Sequence, residues 1–215
     1  MNFKEFETRV RKPQHSNFMA MIFSNVSVRL SYLLARTPIT PNQVTALSAF
    51  IGLGGAVLIQ ESSYFTRILG ILVWFLAYIL DFSDGEIARF RNMSSQFGHW
   101  FDGVTDRTKD IGLYVCITLL AVRRTGSTVV LLAGLLALGG TLLHSYAVTS
   151  RYRSAQEAAR GVSTEKFGGI NYALMAVLVA LDRPDILLPL VAADTLGSLA
   201  LNVYSAHKEQ LRQSA

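Results

Sequence analysis

The chain has 215 residues, 51% of them hydrophobic and 16% charged, with a formal net charge of +5. A soluble domain carries roughly 25% charged residues, so this sequence is short of polar surface. Its apolar content excludes a disordered chain, and the single Cys116 excludes a disulfide scaffold. The length allows one domain, and the apolar runs make an anionic membrane surface a better partner for the basic excess than nucleic acid.

In chain order, residues 1–39 read as a cytosolic amino-terminal segment. Phe18, Ile22, Val26, Leu30 and Leu33 recur there at helical spacing, with Asn17, Ser24, Ser27 and Ser31 mostly off that stripe. The pattern predicts an amphipathic helix that lies at the cytosolic interface, packs on the bundle, or does both. The first residues are charged and no short apolar region with a small-residue cleavage site follows, so no cleavable signal is expected. Thr40 and Pro41 supply an N-cap and a first-turn proline, which starts a helix at that point.

A transmembrane helix takes about 20 mostly apolar residues. Six runs are candidates: 44–59, 68–84, 97–122, 127–149, 167–181 and 186–206. The expected fold is therefore an all-α integral membrane protein, with six transmembrane helices in residues 40–215 and an amino-terminal interfacial amphipathic helix. Of the 20 Lys and Arg residues, 14 fall in the amino-terminal segment, the turn at 89–95, the stretch 151–166 and the tail, against four in the opposite loops. The positive-inside rule then puts both termini in the cytosol, with the cytoplasmic membrane as the expected location. Gly54-Gly55 and Gly139-Gly140 read as close helix contacts.

The chemistry concentrates in two adjacent spans. Asp81, Asp84 and Ala88 share one helical face, with Gly85 one turn from Asp81; Gly98, Asp102 and Asp106 share a face of the next helix. A polar turn at 92–94 joins the two. Asp84 and Asp102 each lie nine residues from Met93, hence at a similar depth of about 14 Å. One aspartate near the centre of a membrane helix costs about 2.5–3.5 kcal/mol. Four in one small volume must bind cations or be largely protonated. Oxygen-only donors favour Mg²⁺, Ca²⁺ or Mn²⁺, and four carboxylates suit a two-metal site for phosphoryl displacement. A cation-coupled transporter is the alternative, because intramembrane acids also mark ion pathways. His99 falls about 100° off the aspartate face and reads as structural.

The pattern Asp81-x2-Asp84-Gly85-x2-Ala88-Arg89-x8-Gly98-x3-Asp102-x3-Asp106 resembles the complete signature of the CDP-alcohol phosphotransferase family. Thr40-Pro41-Asn42-Gln43-Val44-Thr45 is similar to the start of that family's first span. The resemblance implies transfer of a substituted phosphate from a CDP-alcohol, such as CDP-diacylglycerol, to a polar alcohol, with release of CMP in phospholipid biosynthesis. It implies two divalent cations, Mg²⁺ or Mn²⁺, held by Asp81, Asp84, Asp102 and Asp106, with Asp106 also the general base. By the same resemblance Gly85, Ala88 and Gly98 border the CDP moiety, Arg89 supports its nucleotide end, and Asn42 and Thr45 help hold cytidine. A homodimer is expected on the same ground.

Acceptor residues are less sharply marked. Arg107 and Lys109 sit beside Asp106, where they either offset site charge or meet an acceptor phosphate. Arg151 and Arg153, with Arg160 and Lys166 beyond them, are either phosphate ligands or ordinary cytosolic loop bases. Arg11-Lys12-Pro13 and the stretch 34–45 look most like the branch of the family that uses inositol phosphate; glycerol-3-phosphate, serine or another polar alcohol remains an alternative acceptor.

Overall fold

A computed structural model describes residues 2–11, 18–151 and 165–213. The described residues form eight α-helices: α1 (Phe3–Val10), α2 (Phe18–Leu34), α3 (Pro41–Ile59), α4 (Tyr64–Arg91), α5 (Gln96–Thr125), α6 (Thr128–Arg151), α7 (Glu165–Ala180) and α8 (Pro184–Gln213). Two compact units divide the chain, residues 1–116 and 117–215.

In the first unit α3 and α4 form an antiparallel pair that organises everything else. Thr40 begins α3 with a full capping box: its hydroxyl accepts from the Gln43 amide at 3.3 Å, and the Gln43 side chain accepts from the Thr40 amide at 2.9 Å. This satisfies otherwise orphaned helix-end donors and fixes where the helix starts. The pair packs backbone to backbone through Gly55 and Gly70. A Cβ on Gly70 would lie 2.7 Å from the Ile59 amide nitrogen, and one on Gly55 would lie 2.8 Å from that of Trp74. Gly54, by contrast, faces open space. The expected Gly-Gly contact thus belongs to Gly55 alone, with Gly70 as a partner that the sequence pattern did not single out.

At its far end α4 closes on Asn92 in the left-handed conformation (φ 54°), a region that Asn tolerates better than most residues. The Met93 amide donates to the Ala88 carbonyl at 2.9 Å, and Ser95 then accepts from the Gly98 amide at 3.0 Å as α5 begins. The α4–α5 turn therefore falls where the sequence put it, and it folds the two aspartate-bearing helices back on each other. Lys109 of α5 lies beside Gly52 of α3, and Leu53 beside Gly112.

The amino-terminal helix α2 packs on α4. The serine side of α2 is buried: Ser24, Ser27 and Ser31 are inaccessible, whereas Val26 and Leu33 of the apolar stripe are exposed. Leu30 packs on the Val44–Leu80–Ile87 cluster. The cause is Glu86 of α4, a buried carboxylate that takes hydrogen bonds from Ser27 and Ser31; burying it without donors would be costly.

In the second unit α6 and α8 pack closely, with Gly140 against Thr195, while Gly139 faces open space. Asn171 of α7 donates to Asp194 of α8 at 3.1 Å. Four helices among the described residues are long and apolar enough to cross a membrane: α3, α4, Thr128–Ser150 of α6 and Pro184–Lys208 of α8. Six were expected. The predicted third span corresponds to α5, which has the length at 30 residues, but carries Asp102, Asp106, Arg107, Lys109 and Asp110. The predicted fifth corresponds to α7, whose 16 residues rise about 24 Å, short of a hydrocarbon core about 30 Å thick.

Replacing Gly70 with Ala should force α3 and α4 apart and cost about 1–3 kcal/mol, whereas Gly54→Ala should be neutral or slightly stabilising. Thermal unfolding of the two variants in detergent checks this pair directly.

Candidate functional site

The paired ends of α4 and α5, with the first turns of α3, enclose a cavity of about 180 Å³ in the first unit. It is lined by Pro41, Asn42 and Thr45 from α3, by Asp84, Gly85, Ala88 and Arg89 from α4, and by Gly98, His99 and Asp102 from α5. Met93, Ser94 and Ser95 close it from the turn. The structure thus gathers Asn42, Thr45, Gly85, Ala88, Arg89 and Gly98 around one space. The missing side chains matter to its shape. A Cβ on Gly98 would lie 3.2 Å from the Asn42 Oδ1, and one on Gly85 would lie 3.2 Å from the Arg89 Nη1.

Three of the four aspartates converge. One carboxylate oxygen each from Asp81, Asp102 and Asp106 lie within 4.8 Å of one another. That is about the spread a single hard cation with oxygen ligands can bridge. The donors are all carboxylate oxygens, the chemistry that suits Mg²⁺ or Mn²⁺, so the residues present fit a divalent ion. Asp84 lines the cavity wall with Asp102, buried, with the Thr45 hydroxyl donating to it at 2.5 Å. Ser48, one turn further along α3, donates to Asp81 at 3.3 Å. The first two turns of α3 therefore supply hydroxyls to both aspartates of α4, as a buried carboxylate requires.

Lys109 is buried and forms ion pairs with Asp81 and with Asp106, the latter at 3.0 Å. Its stem passes Gly52 of α3, where a Cβ would come within 3.2 Å of it. Of the two roles open to Lys109, this placement matches the offsetting of site charge. Arg107 is turned differently: its Nη1 pairs with Asp110 at 3.0 Å, and its side chain is 41% exposed. Arg151 ends α6, but its side chain and the whole of Arg153 lie outside the described residues.

His99 lines the cavity although its helical angle sets it off the aspartate face. His99 lies in the first turn of α5, beside the turn residues Met93, Ser94 and Ser95 that also line the cavity. Ser48 and Glu86 were also missed. A serine one turn after Thr45 was the available signal for the first, and a Glu beside Gly85 for the second.

Comparison with known proteins agrees with this geometry. A family model described as CDP-alcohol phosphatidyltransferase matches residues 38–203. A bifunctional IPC transferase and DIPP synthase of Aquifex aeolicus is 34% identical over 131 residues, which is 60% of this chain but 28% of that protein. A CDP-diacylglycerol–glycerol-3-phosphate 3-phosphatidyltransferase of Rickettsia typhi is 32% identical over 84 residues, 39% of this chain and 45% of that protein. Among solved structures, Mycobacterium tuberculosis phosphatidylinositol phosphate synthase in complex with manganese and citrate aligns with a TM-score of 0.69 at 19% identity, covering 83% of this chain and 87% of that one. The same protein with CDP-DAG bound aligns at 0.67 and 18% identity, covering 84% and 92%. The structural likeness shows a shared fold.

Thr45→Val would leave the buried Asp84 without its hydroxyl donor. It should cost about 1–3 kcal/mol, read as a lower melting temperature in detergent, while Thr108→Val on the exposed side of α5 should change little. With an aspartate-lined cavity at the α4–α5 turn and a family model matched over residues 38–203, the chain belongs to the CDP-alcohol phosphatidyltransferase family.

Proposed function

We propose that this chain transfers a substituted phosphate from a CDP-linked lipid to the hydroxyl of a polar alcohol, releasing CMP. The observation that carries this reading is the cavity itself. Small residues and an arginine line it together with Asp84 and Asp102, and Asp102 also belongs to the carboxylate trio. That arrangement leaves room for a diphosphate against the backbone, next to an all-oxygen donor set. Asp81, Asp84, Asp102 and Asp106 would hold two divalent cations, Mg²⁺ or Mn²⁺. When bound, such ions supply charge neutralisation at the diphosphate and at the departing CMP.

The chain's own residues do the rest. Gly85, Ala88 and Gly98 admit the CDP moiety, Asn42 and Thr45 flank its cytidine, and Arg89 meets its anionic part. Asp106 takes the proton of the acceptor hydroxyl as that oxygen bonds to the phosphorus carrying the lipid and the bond to CMP breaks. Its side chain is 33% exposed against 19% for Asp81, which suits the aspartate that must face an incoming acceptor. Lys109 holds Asp81 and Asp106 in place, and Arg107 stands on the exposed side, available to an acceptor phosphate. Arg151 and Arg153 are further candidates for that role.

Similarity to the bifunctional IPC transferase and DIPP synthase and to the phosphatidylinositol phosphate synthase supports an inositol-phosphate acceptor, with glycerol-3-phosphate as the second choice. Residues 40–215 are the six-span catalytic domain, in which α5 serves as a span with Asp102, Asp106 and Lys109 gathered at the site and α7 serves as a short one. Residues 1–39 form a cytosolic segment, and both termini and the site face the cytosol of the cytoplasmic membrane. The asymmetry of Lys and Arg supports that orientation. A homodimer is the expected assembly.

The purified chain should release CMP from CDP-diacylglycerol with Mg²⁺ or Mn²⁺ only when an acceptor is present, tested across inositol phosphate, glycerol-3-phosphate, inositol and serine. EDTA should abolish release. Asp106→Asn should lower turnover by about 10³-fold or more, on the scale of losing a general base, with an unchanged melting temperature. Absence of CMP with every acceptor, or near-normal turnover in the Asp106 variant, would contradict the proposal.

A further inference from the structure

Three residues on the last turns of α4 reach back to the amino-terminal segment, nearly all of which precedes the residues 38–203 matched by the family model. Glu86 accepts from Ser27 and Ser31 of α2 at 2.7 and 2.6 Å. Arg91 donates to the carbonyls of Ala35, Thr37 and Ile39, closing the end of α2 and the stretch after it. Arg89 donates through Nε to the carbonyl of Val10, the last residue of α1, at 3.0 Å. The first two sets of bonds fix the register of α2 on α4. The third enters the cavity, because Arg89 lines it and its Nη1 lies over Gly85.

A guanidinium is a rigid planar fork. Tying Nε to a backbone carbonyl fixes the plane in which its Nη groups are presented. The tie is only as good as the docking of α1, and that docking is well built. Phe6 and Val10 are fully buried, and the Phe6 ring meets Tyr32 and Phe90 at 5.6 and 4.8 Å. Arg11, next to Val10, bonds Glu7 at 2.6 Å and Asn25 of α2 at 2.7 Å.

We infer that α1 is a positioning element of the nucleotide site: docked on α2 and α4, it holds Arg89 by the Val10 carbonyl in the orientation that meets the anionic part of a CDP-linked donor. This rests on the reading of the cavity as the CDP site. Neither Phe6 nor Asn25 lines the cavity, so on this inference their effect on the donor is carried by Arg89.

Isothermal titration of CDP into the full chain loaded with Mn²⁺ in detergent tests this. Phe6→Ala and Arg89→Lys should each weaken CDP binding by about tenfold, the scale of a misplaced charged hydrogen bond. The double variant should bind no more weakly than Arg89→Lys alone, because coupled residues are not additive. Asn25→Ala, an exposed change, should weaken binding by a smaller factor with an unchanged melting temperature, and it carries the test if Phe6→Ala does not fold. Additive losses in the double variant would overturn the inference, since a general loosening of the fold acts without Arg89. Unchanged CDP affinity in Phe6→Ala or Asn25→Ala, with Arg89→Lys weakened, would overturn it too. A wild-type chain that binds no CDP, or an Arg89→Lys chain that binds it normally, would instead remove the CDP reading beneath it.

Discussion

The need to keep carboxylates inside an apolar helix pair governs this structure. Asp81, Asp84 and Glu86 all lie within the last three turns of α4, against which α1, α2 and α3 all pack. Each is answered from a different direction. Lys109 of α5 and Ser48 of α3 meet Asp81, Thr45 of α3 meets Asp84, and Ser27 and Ser31 of α2 meet Glu86. Removing those partners would leave buried polar groups unsatisfied at a cost of about 1–3 kcal/mol each. The helices around α4 are therefore located by its acids as much as by its apolar surface. The glycine contact between Gly55 and Gly70 brings α3 close enough for its short hydroxyls to reach.

That dependence joins fold to chemistry. The same packing that satisfies Asp84 leaves the oxygens of Asp81, Asp102 and Asp106 gathered with room for a cation. Small residues on the inner faces of α4 and α5 keep the adjoining cavity open. On the proposed function, one helical hairpin thus supplies the metal ligands and the general base, and shares the donor pocket with the first turns of α3. The amino-terminal helices supply none of these groups, yet they hold the arginine beside them.

Much of the site was legible in the sequence because its information is local. Helical spacing fixes which aspartates share a face, Thr40-Pro41 fixes where α3 begins, and Asn92 to Ser94 fixes the turn that brings the two faces together. Pro41, Asp84, Met93, Ser94 and Asp102, drawn from those positions, line one cavity. What could not be read depends on contacts between distant segments. The apolar stripe of α2 left open whether that helix lies at the interface or packs on the bundle, and the partner that turns its serine side inward, Glu86, is some 55 residues away from Ser31. Lys109 left two roles open in the sequence, and only the approach of α5 to Gly52 shows it turned between Asp81 and Asp106. His99 escaped because a cavity at a helix end does not respect the helical wheel.

The claim on which the account turns is that these carboxylates form a hard-cation site. Electron paramagnetic resonance of Mn²⁺ titrated into the purified chain measures this without any substrate. Saturable binding to the wild-type chain is expected. It should weaken by more than about 100-fold in Asp81→Asn/Asp102→Asn/Asp106→Asn, since even partners outside the ligand shell are worth 10–100-fold. Equal Mn²⁺ binding in the two folded proteins, or none in the wild type, would contradict it.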